Sequence, residues 1–262
     1  MTKNKISLPI AVLICLNTIL GGGIFINAQQ LAITAGSAGF VGYILGSMVV
    51  FPLVLSLAEL AKLQPVSGGL FVYVKEYTSD GFGFLSGWSY FIAKTVSAAL
   101  LIHSFNSYFS KSLGLAYIPI LLLDYFVIFF LIFLNVVGVR IGGKAQYLFF
   151  LFKITPILFA FIFGTYLFNP DFFALSDVGG SILQTIPVSL YALAGFEIIC
   201  AVGGLVENPS VNIKRAIIIS FFIVFSITTI FQLVVFGALG PHLKIISNLY
   251  STLGRQAMPV FP

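Results

Sequence analysis

The sequence has 262 residues, of which 59% are hydrophobic and only 8% charged, against roughly a quarter charged in an ordinary soluble domain. A mean hydropathy of +1.09 leaves too little polar surface to cover a protein in water, so a soluble globular protein is excluded. The formal net charge of +5 comes from basic residues at the ends of apolar segments and forms no continuous patch, which argues against nucleic acid as a partner.

Apolar segments follow one another along the chain to about residue 240. Residues 6–58 hold no charged side chain over 53 positions, more than twice the roughly 20 that one membrane helix needs. The pattern predicts an all-α integral membrane protein with about seven transmembrane helices. The predicted spans are residues 8–28, 39–61, 84–109, 118–138, 146–168, 183–205 and 214–239.

The basic residues predict the orientation of the chain. With a cytoplasmic N-terminus, eight of them fall inside and three outside, in agreement with the positive-inside rule. The inside set is Lys3, Lys5, Lys62, Lys75, Arg140, Lys144, Lys214 and Arg215, and the outside set is Lys111, Lys244 and Arg255. We therefore expect a multi-pass protein of the cell membrane, cytoplasmic or inner. Residues 1–240 form its transmembrane domain, and residues 241–262 form an extracytoplasmic, loop-like tail.

Spans 1 and 6 are each interrupted by residues that weaken a helix. Residues 21–23 are three successive glycines, each about 1 kcal/mol worse than Ala in a helix, and span 6 contains Pro187 and Gly195. Unwound backbone at membrane depth is tolerated only where protein or a cavity surrounds it. Because spans 1 and 6 enter the membrane from opposite sides, the two breaks fit an inverted-repeat transporter.

The two breaks predict a central binding site. Free N–H groups at the start of one half-helix attract a carboxylate, and free C=O groups at the end of another attract an ammonium, so one small zwitterion satisfies both. The alternative is that the glycines only allow neighbouring helices to pack closely.

Two charged residues near these breaks are candidates for a functional role, because a charge within the membrane is costly. Glu197 follows the break of span 6, where a carboxyl group held neutral by burial suits proton exchange; alternatively it only hydrogen-bonds the unwound backbone. Lys153 lies about 13 Å into span 5, and its ammonium needs partners such as the carbonyls freed at span 1. A structural tether and a coupling role are both open for Lys153.

Span 3 carries a further charge, Lys94, and span 4 carries Asp124. Lys94 either faces an acidic substrate or pairs with Asp124, and we prefer the pair. His103 and Asn106 are expected to make polar contacts between helices.

Several motifs occur in order along the chain. They are residues 21–25 (GGGIF), 65–73 (PVSGGLFVY), 83–88 (GFLSGW), 135–140 (NVVGVR) with Gln146 and Lys153, 195–197 (GFE), 207–209 (ENP) and 214–216 (KRA). Together they resemble amino acid permeases of the amino acid/polyamine/organocation superfamily over about residues 8–240. This resemblance implies a LeuT-like fold of two inverted five-helix repeats, of which the first spans about residues 8–168. The second, at about residues 183–239, is incomplete.

The resemblance also implies roles for individual residues. Ile19, Gly22 and Gly23 would line the carboxylate end of a substrate, and Tyr191 and Ala194 would pack on its side chain. Gly21, Ile24 and Gly195, from the two breaks, complete the expected substrate-binding set.

Two residues would serve coupling and gating. Glu197 would couple the gate of the sixth helix to substrate or proton. Lys153 sits where some members have a lysine in place of a sodium ion, which favours a sodium-independent member.

The expected function is secondary active transport of amino acids or related amines by alternating access, as proton-coupled symport or exchange. The alternative is a truncated, non-transporting permease fragment or a partner-dependent membrane subunit. No catalytic residue, metal site, cofactor or enzyme activity is expected, because two Cys and two His leave no suitable constellation. The expected partners are the substrate, the lipid bilayer, and either a second copy or complementing helices.

Overall fold

The computed structural model describes residues 5–114, 117–136, 143–173 and 182–244. Within these ranges the chain forms ten α-helices joined by turns and short 3₁₀ segments. The helices are α1 (Leu8–Ile19), α2 (Gly23–Ala35), α3 (Gly39–Leu63), α4 (Leu70–Tyr77), α5 (Asp80–Ser112), α6 (Ile120–Val136), α7 (Gly143–Tyr166), α8 (Thr185–Leu193), α9 (Ile198–Ala201) and α10 (Pro209–Leu239).

Where the structure describes them, the seven predicted spans fall on apolar helical segments, two of which are interrupted. Among the described residues, four helical stretches are long and apolar enough to cross a membrane, namely Gly23–Leu63, Asp80–Lys111, Ile182–Ala201 and Pro209–Lys244. Three shorter apolar helices are Leu8–Ile19, Ile120–Phe133 and Phe150–Tyr166. Seven crossings therefore remain a prediction, while the all-helical, apolar architecture is confirmed.

Both predicted helix breaks are present. The first helix ends at Ile19 and the next begins at Gly23, with the intervening N–H of Gly21 donating to the carbonyl of Ile19 at 2.8 Å. The sixth span is divided between α8, which ends at Leu193, and α9. Gly195, between them, has φ 123°, a conformation that glycine adopts without the steric penalty of a Cβ.

The chain divides by its contacts into two compact units, and the larger contains Met1–Gly69 and Gly143–Pro262. Within the described part of this unit, α10 packs against α1, α3 and α7, and α8 packs against α2 and α3. The buried Phe231 of α10 meets Phe25 and Phe161 edge to face, with ring centroids 5.7 and 6.1 Å apart. Such aromatic pairs contribute packing beyond the area that they bury.

Small residues let α3 approach α8 closely. A Cβ placed on Gly42 would lie 2.6 Å from the Cβ of Thr185, and one on Gly46 would lie 3.0 Å from the Cβ of Ser189. Glycine at both positions therefore sets the distance between the two helices, as small residues do in membrane helix pairs. This contact fixes α8 just before the break of the sixth span.

The smaller unit, Leu70–Gly142, contains α4, α5 and α6. Asp124 of α6 binds two side chains of α5: its Oδ2 lies 2.8 Å from Nδ1 of His103, and its Oδ1 accepts a 2.8 Å hydrogen bond from Asn106. The expectation of polar interhelical contacts at His103 and Asn106 is confirmed. The preferred pair between Lys94 and Asp124 is wrong, because the polar partners that the structure gives Asp124 are His103 and Asn106.

Lys94 instead places its ammonium 5.1 Å from the centroid of the Tyr90 ring, one turn earlier on α5. The negative face of an aromatic ring attracts a cation at this range. The error arose because helix rotation decides which side chain of α5 meets Asp124, and the apolar pattern of span 3 does not define that rotation.

The predicted tail at residues 241–262 is structured at its start. Gly240–Lys244 forms a 3₁₀ turn that packs against α2 and α10 and buries Leu243. Residues 245–262, and with them Arg255, lie outside the described residues, as do Lys3 and Arg140 of the charge count. The two compact units do not coincide with the two predicted repeats, and the repeats remain a prediction.

Replacing Gly46 with Ala is expected to destabilise the larger unit. The added methyl group would force α3 and α8 apart, at a cost of about 1–3 kcal/mol in the free energy of unfolding, typical of overpacking. The measurement is the thermal unfolding midpoint in detergent.

Two further variants test the cause. Gly81→Ala serves as the control, because a Cβ there meets nothing nearer than 4.0 Å, and it should unfold no more easily than the original chain. The double variant Gly46→Ala/Ser189→Gly removes the clashing side chain and should lose less stability than the sum of its single changes. Strict additivity of the two changes would contradict the proposed contact.

Candidate functional site

The two helix breaks face each other within the larger unit. A Cβ placed on Gly23, the first residue of α2, would lie 3.4 Å from Cε1 of Tyr191 in the last turn of α8. A Cβ placed on Gly195 would lie 3.2 Å from both Cγ1 of Ile19 and Cγ2 of Thr18, at the end of α1. The chain thus brings together segments about 170 residues apart, as the paired breaks predict.

Backbone donors collect at the start of α2. Gly22 accepts from the N–H groups of Phe25 and Ile26, each at 3.2 Å. Among the described residues, the N–H groups of Gly22, Gly23 and Ile24 have no backbone acceptor, and Gly22 offers no side-chain cap. Three donors and the positive end of the helix dipole therefore lie at one point.

Backbone acceptors collect at the end of α8. This helix stops at Leu193, and Ala194 is extended with ψ 150°, so the last carbonyls of α8 have no following turn to bond them. Gly195 follows with a positive φ, and its carbonyl accepts from the N–H of Ile198 at 3.3 Å. The negative end of one half-helix thus lies beside the positive end of another.

Glu197 stabilises the unwound segment between α8 and α9. Its Oε2 accepts a 3.0 Å hydrogen bond from the N–H of Gly195, two residues earlier. This bond supplies an acceptor for backbone that no helix satisfies. This hydrogen bond is what a purely structural role of Glu197 requires. It is also compatible with a coupling role, because a carboxyl oxygen can accept this bond whether or not Glu197 also exchanges a proton.

The predicted substrate-binding residues differ in exposure. Ile19 and Ile24 are only 7% and 3% exposed, so Ile24 can offer its backbone but not its side chain to a ligand. Tyr191, by contrast, is 46% exposed. The remaining members are Gly21 and Gly22, half-buried; Gly23 and Gly195, buried; and Ala194, exposed.

Lys153 of α7 binds the first break. Its Nζ donates to the carbonyl of Asn17 at 2.5 Å, and Asn17 lies in the last turn of α1. That carbonyl would normally accept from the N–H of Gly21, but Gly21 bonds Ile19 instead because the helix has ended. The expected contact between Lys153 and a freed carbonyl of span 1 is present.

Two amide side chains that sequence reasoning missed hold the half-helices in place. Asn27, one turn beyond Gly23 on α2, donates to the carbonyl of Val188 on α8 at 2.8 Å. Gln232 of α10 donates to the carbonyl of Ala28 at 3.1 Å. Their position within apolar spans was the available signal, because a buried amide in a membrane helix has to find partners.

One end of the larger unit is tied by backbone pairing. Ile6 donates to Leu205 at 2.8 Å and accepts from Glu207 at 3.0 Å, in a parallel bridge with Val206. The segment after α3 reaches the same loop, since Ser67 Oγ accepts from the N–H of Gly204 at 3.1 Å. The segment before α1 and the turn after α3 are thereby joined to the end of the sixth span.

The described residues contain no group of three or more His, Cys, Asp or Glu side chains that could hold a metal ion. Cys15 and Cys200 are buried and are not joined by a disulfide bond. The polar groups that the structure places at the facing breaks are the backbone dipoles and the side chains of Tyr191, Lys153 and Glu197.

The sequence matches the amino acid permease family over residues 6–257. The serine/threonine exchanger SteT of Bacillus subtilis is 28% identical over 97% of this chain and 58% of its own length. The lysine-specific permease LysP of Escherichia coli is 30% identical over 76% of this chain and 43% of its own length. An arginine/agmatine antiporter of Chlamydia pneumoniae is 26% identical over 92% of this chain and 54% of its own length.

The chain spans about half the length of these relatives. The family match nevertheless covers almost all of it, including both helix breaks and every predicted site residue. The chain is therefore a multi-pass membrane protein that belongs to the amino acid permease family, a family of transporters and not of enzymes.

Proposed function

We propose that this chain carries amino acids or related amines across the membrane by alternating access, with the substrate bound between the two facing breaks. The observation that carries the proposal is the juxtaposition of Gly23 with Tyr191 and of Gly195 with Ile19. Relatives named as exchangers, antiporters and permeases of amino acids support the same substrate class.

Main-chain groups would recognise what all amino acids share. The N–H groups of Gly22, Gly23 and Ile24 suit a carboxylate, and the last carbonyls of α8 suit an ammonium. Ala194 and the exposed ring of Tyr191 would contact the substrate side chain, and Gly21 leaves open space beside the carboxylate. Both ends of a zwitterion are then held without a charged protein side chain.

Lys153 supports a sodium-independent cycle. Its ammonium donates a hydrogen bond to the carbonyl of Asn17 at the first break. That carbonyl oxygen would otherwise be a ligand for a coupling cation. Glu197 is the candidate for a proton-linked step, because it bonds Gly195 in the second break. Symport with protons and exchange of one amino acid for another are both compatible with this arrangement.

The excess of basic residues on one side supports a cytoplasmic N-terminus in the cell membrane. The tied end of the larger unit, where Ile6 meets Val206, would then close the cytoplasmic side of the site. For the site to open on the cytoplasmic side, the segments joined by the Ile6–Val206 pairing and by the Ser67–Gly204 hydrogen bond must either separate or move together.

A second candidate is a partner-dependent membrane subunit that binds substrate but transports it only with complementing helices or a second copy. The observation that favours it is that the matched region covers about half of each relative. Uptake by the purified chain separates the two candidates.

The first test is uptake of radiolabelled amino acids into proteoliposomes containing this chain. We expect saturable uptake that Gly23→Leu reduces at least about tenfold, because the side chain would fill the space between α2 and Tyr191. Gly81→Leu is the matched control, since a Cβ there meets only Ser79 Oγ at 4.0 Å. Saturable binding without uptake would favour the partner-dependent subunit, and a folded chain that binds no amino acid would contradict both candidates.

Glu197→Gln separates coupling from structure. Glutamine keeps an oxygen that can accept from the N–H of Gly195 but cannot exchange a proton at neutral pH. If Glu197 couples transport to protons, accumulation driven by a pH gradient falls about tenfold or more, while exchange of labelled for unlabelled substrate persists. Glu197→Ala, which removes the acceptor, should impair both assays. Unchanged gradient-driven accumulation in Glu197→Gln would contradict a coupling role.

Lys153→Met tests the cation at the first break. Losing the ammonium leaves the carbonyl of Asn17 without its partner, and we expect a loss of about 1–3 kcal/mol in stability together with loss of uptake. Lys75→Met is the control, because Lys75 pairs with Asp80 near the surface at 3.1 Å and both side chains are well exposed. Uptake by the original chain should be equal in sodium and in choline buffers, and a strict sodium requirement would overturn the sodium-independent cycle.

A further inference from the structure

A groove of about 310 Å³ lies between the end of α3 and the first turns of α10, in the larger unit and away from the helix breaks. Its polar end is lined by Lys62, Lys214 and Arg215. The charge count places all three on the cytoplasmic side. Three cations around one groove attract an anionic ligand unless carboxylates nearby balance them.

The carboxylates at this groove do not balance its cations. Glu59 of α3 hydrogen-bonds Lys214 and lies 4.0 Å from Lys62. Arg215 is exposed and makes no ion pair within the described part of the chain. One acidic side chain therefore faces three basic ones, and the groove keeps an excess of positive charge.

The start of α10 adds to this charge. The helix begins at Pro209, and Asn208 before it makes no side-chain cap hydrogen bond. The first-turn residue Ser210 lines the groove with its hydroxyl group available as a donor. The positive end of a 31-residue helix thus lies beside the three cations.

The rest of the groove is apolar and follows α10 towards the membrane. Val211 and Ile219, eight residues apart on one helical face, are 45% and 40% exposed, and Ile218 lies beside them. A small hydrophilic anion would make no use of this strip. A ligand with an anionic head and an apolar tail matches both parts.

We propose that this groove binds an anionic phospholipid of the adjoining leaflet. Lys62, Arg215 and the start of α10 hold the phosphate, and one acyl chain lies along Val211, Ile218 and Ile219. Basic pockets between transmembrane helices on the cytoplasmic side suit such headgroups. The site is separate from the substrate site and does not depend on the proposed function.

The test measures lipid association with the full chain reconstituted in phosphatidylcholine vesicles. Spin-labelled phosphatidylglycerol and spin-labelled phosphatidylcholine report, from their motionally restricted fractions, the relative association of each lipid with the protein. The original chain should prefer phosphatidylglycerol. Lys62→Gln/Arg215→Gln should reduce that preference up to about 25-fold, since each of the two cations near a membrane surface contributes about fivefold. Both side chains are exposed, so the variant should keep the thermal unfolding midpoint of the original chain.

Lys111→Gln/Lys244→Gln is the matched control, because it removes the same charge from two residues that do not line the groove. It should keep the preference for phosphatidylglycerol. The proposal is overturned if the groove variant keeps its preference, or if the control loses as much, since diffuse charge would then explain the effect. It is also overturned if excess inorganic phosphate abolishes the preference, because a free anion would then be the better ligand.

Discussion

Backbone that leaves a helix inside a membrane must still find hydrogen-bond partners, and this requirement organises the larger unit. Each break is surrounded by groups that satisfy part of it. Lys153 binds a carbonyl at the end of α1, and Glu197 binds an N–H between α8 and α9. Among the described residues, the first N–H groups of α2 and the last carbonyls of α8 have no backbone partner, and these two helix ends lie close together. These groups are where we propose that a zwitterion binds.

The surrounding contacts keep these half-helices in register. Asn27 bonds α2 to α8, and Gln232 bonds α10 to α2, each through a main-chain carbonyl. Gly42 and Gly46 bring α3 against α8 from another side. Packing and polar contacts together position α8 even though its helix stops after nine residues. A short helix in a membrane protein has little stability of its own, so its neighbours must supply the order.

Sequence alone was sufficient for the class of protein and for the places where helices break. The apolar composition indicated a membrane protein. The helix breaks could be predicted because glycine itself weakens a helix, at residues 21–23 and at Gly195, whatever its neighbours in space. The order of the motifs along the chain was sufficient to identify the family. Sequence was not sufficient where the outcome depends on helix rotation: Asp124 bonds His103 and Asn106, not Lys94. The amides of Asn27 and Gln232 were missed for a different reason. Their partners are main-chain carbonyls on other helices, and no pattern of side chains in the sequence identifies such partners.

The parallel pairing of Ile6 with Val206 links the beginning of α1 mechanically to the end of the sixth span. Two backbone hydrogen bonds, from Ile6 to Leu205 and from Glu207 to Ile6, make the two segments one body at this end. Breaking both hydrogen bonds would cost about 1–3 kcal/mol in total, roughly two to five times the thermal energy. While these hydrogen bonds hold, a displacement of the segment before α1 also displaces the end of the sixth span.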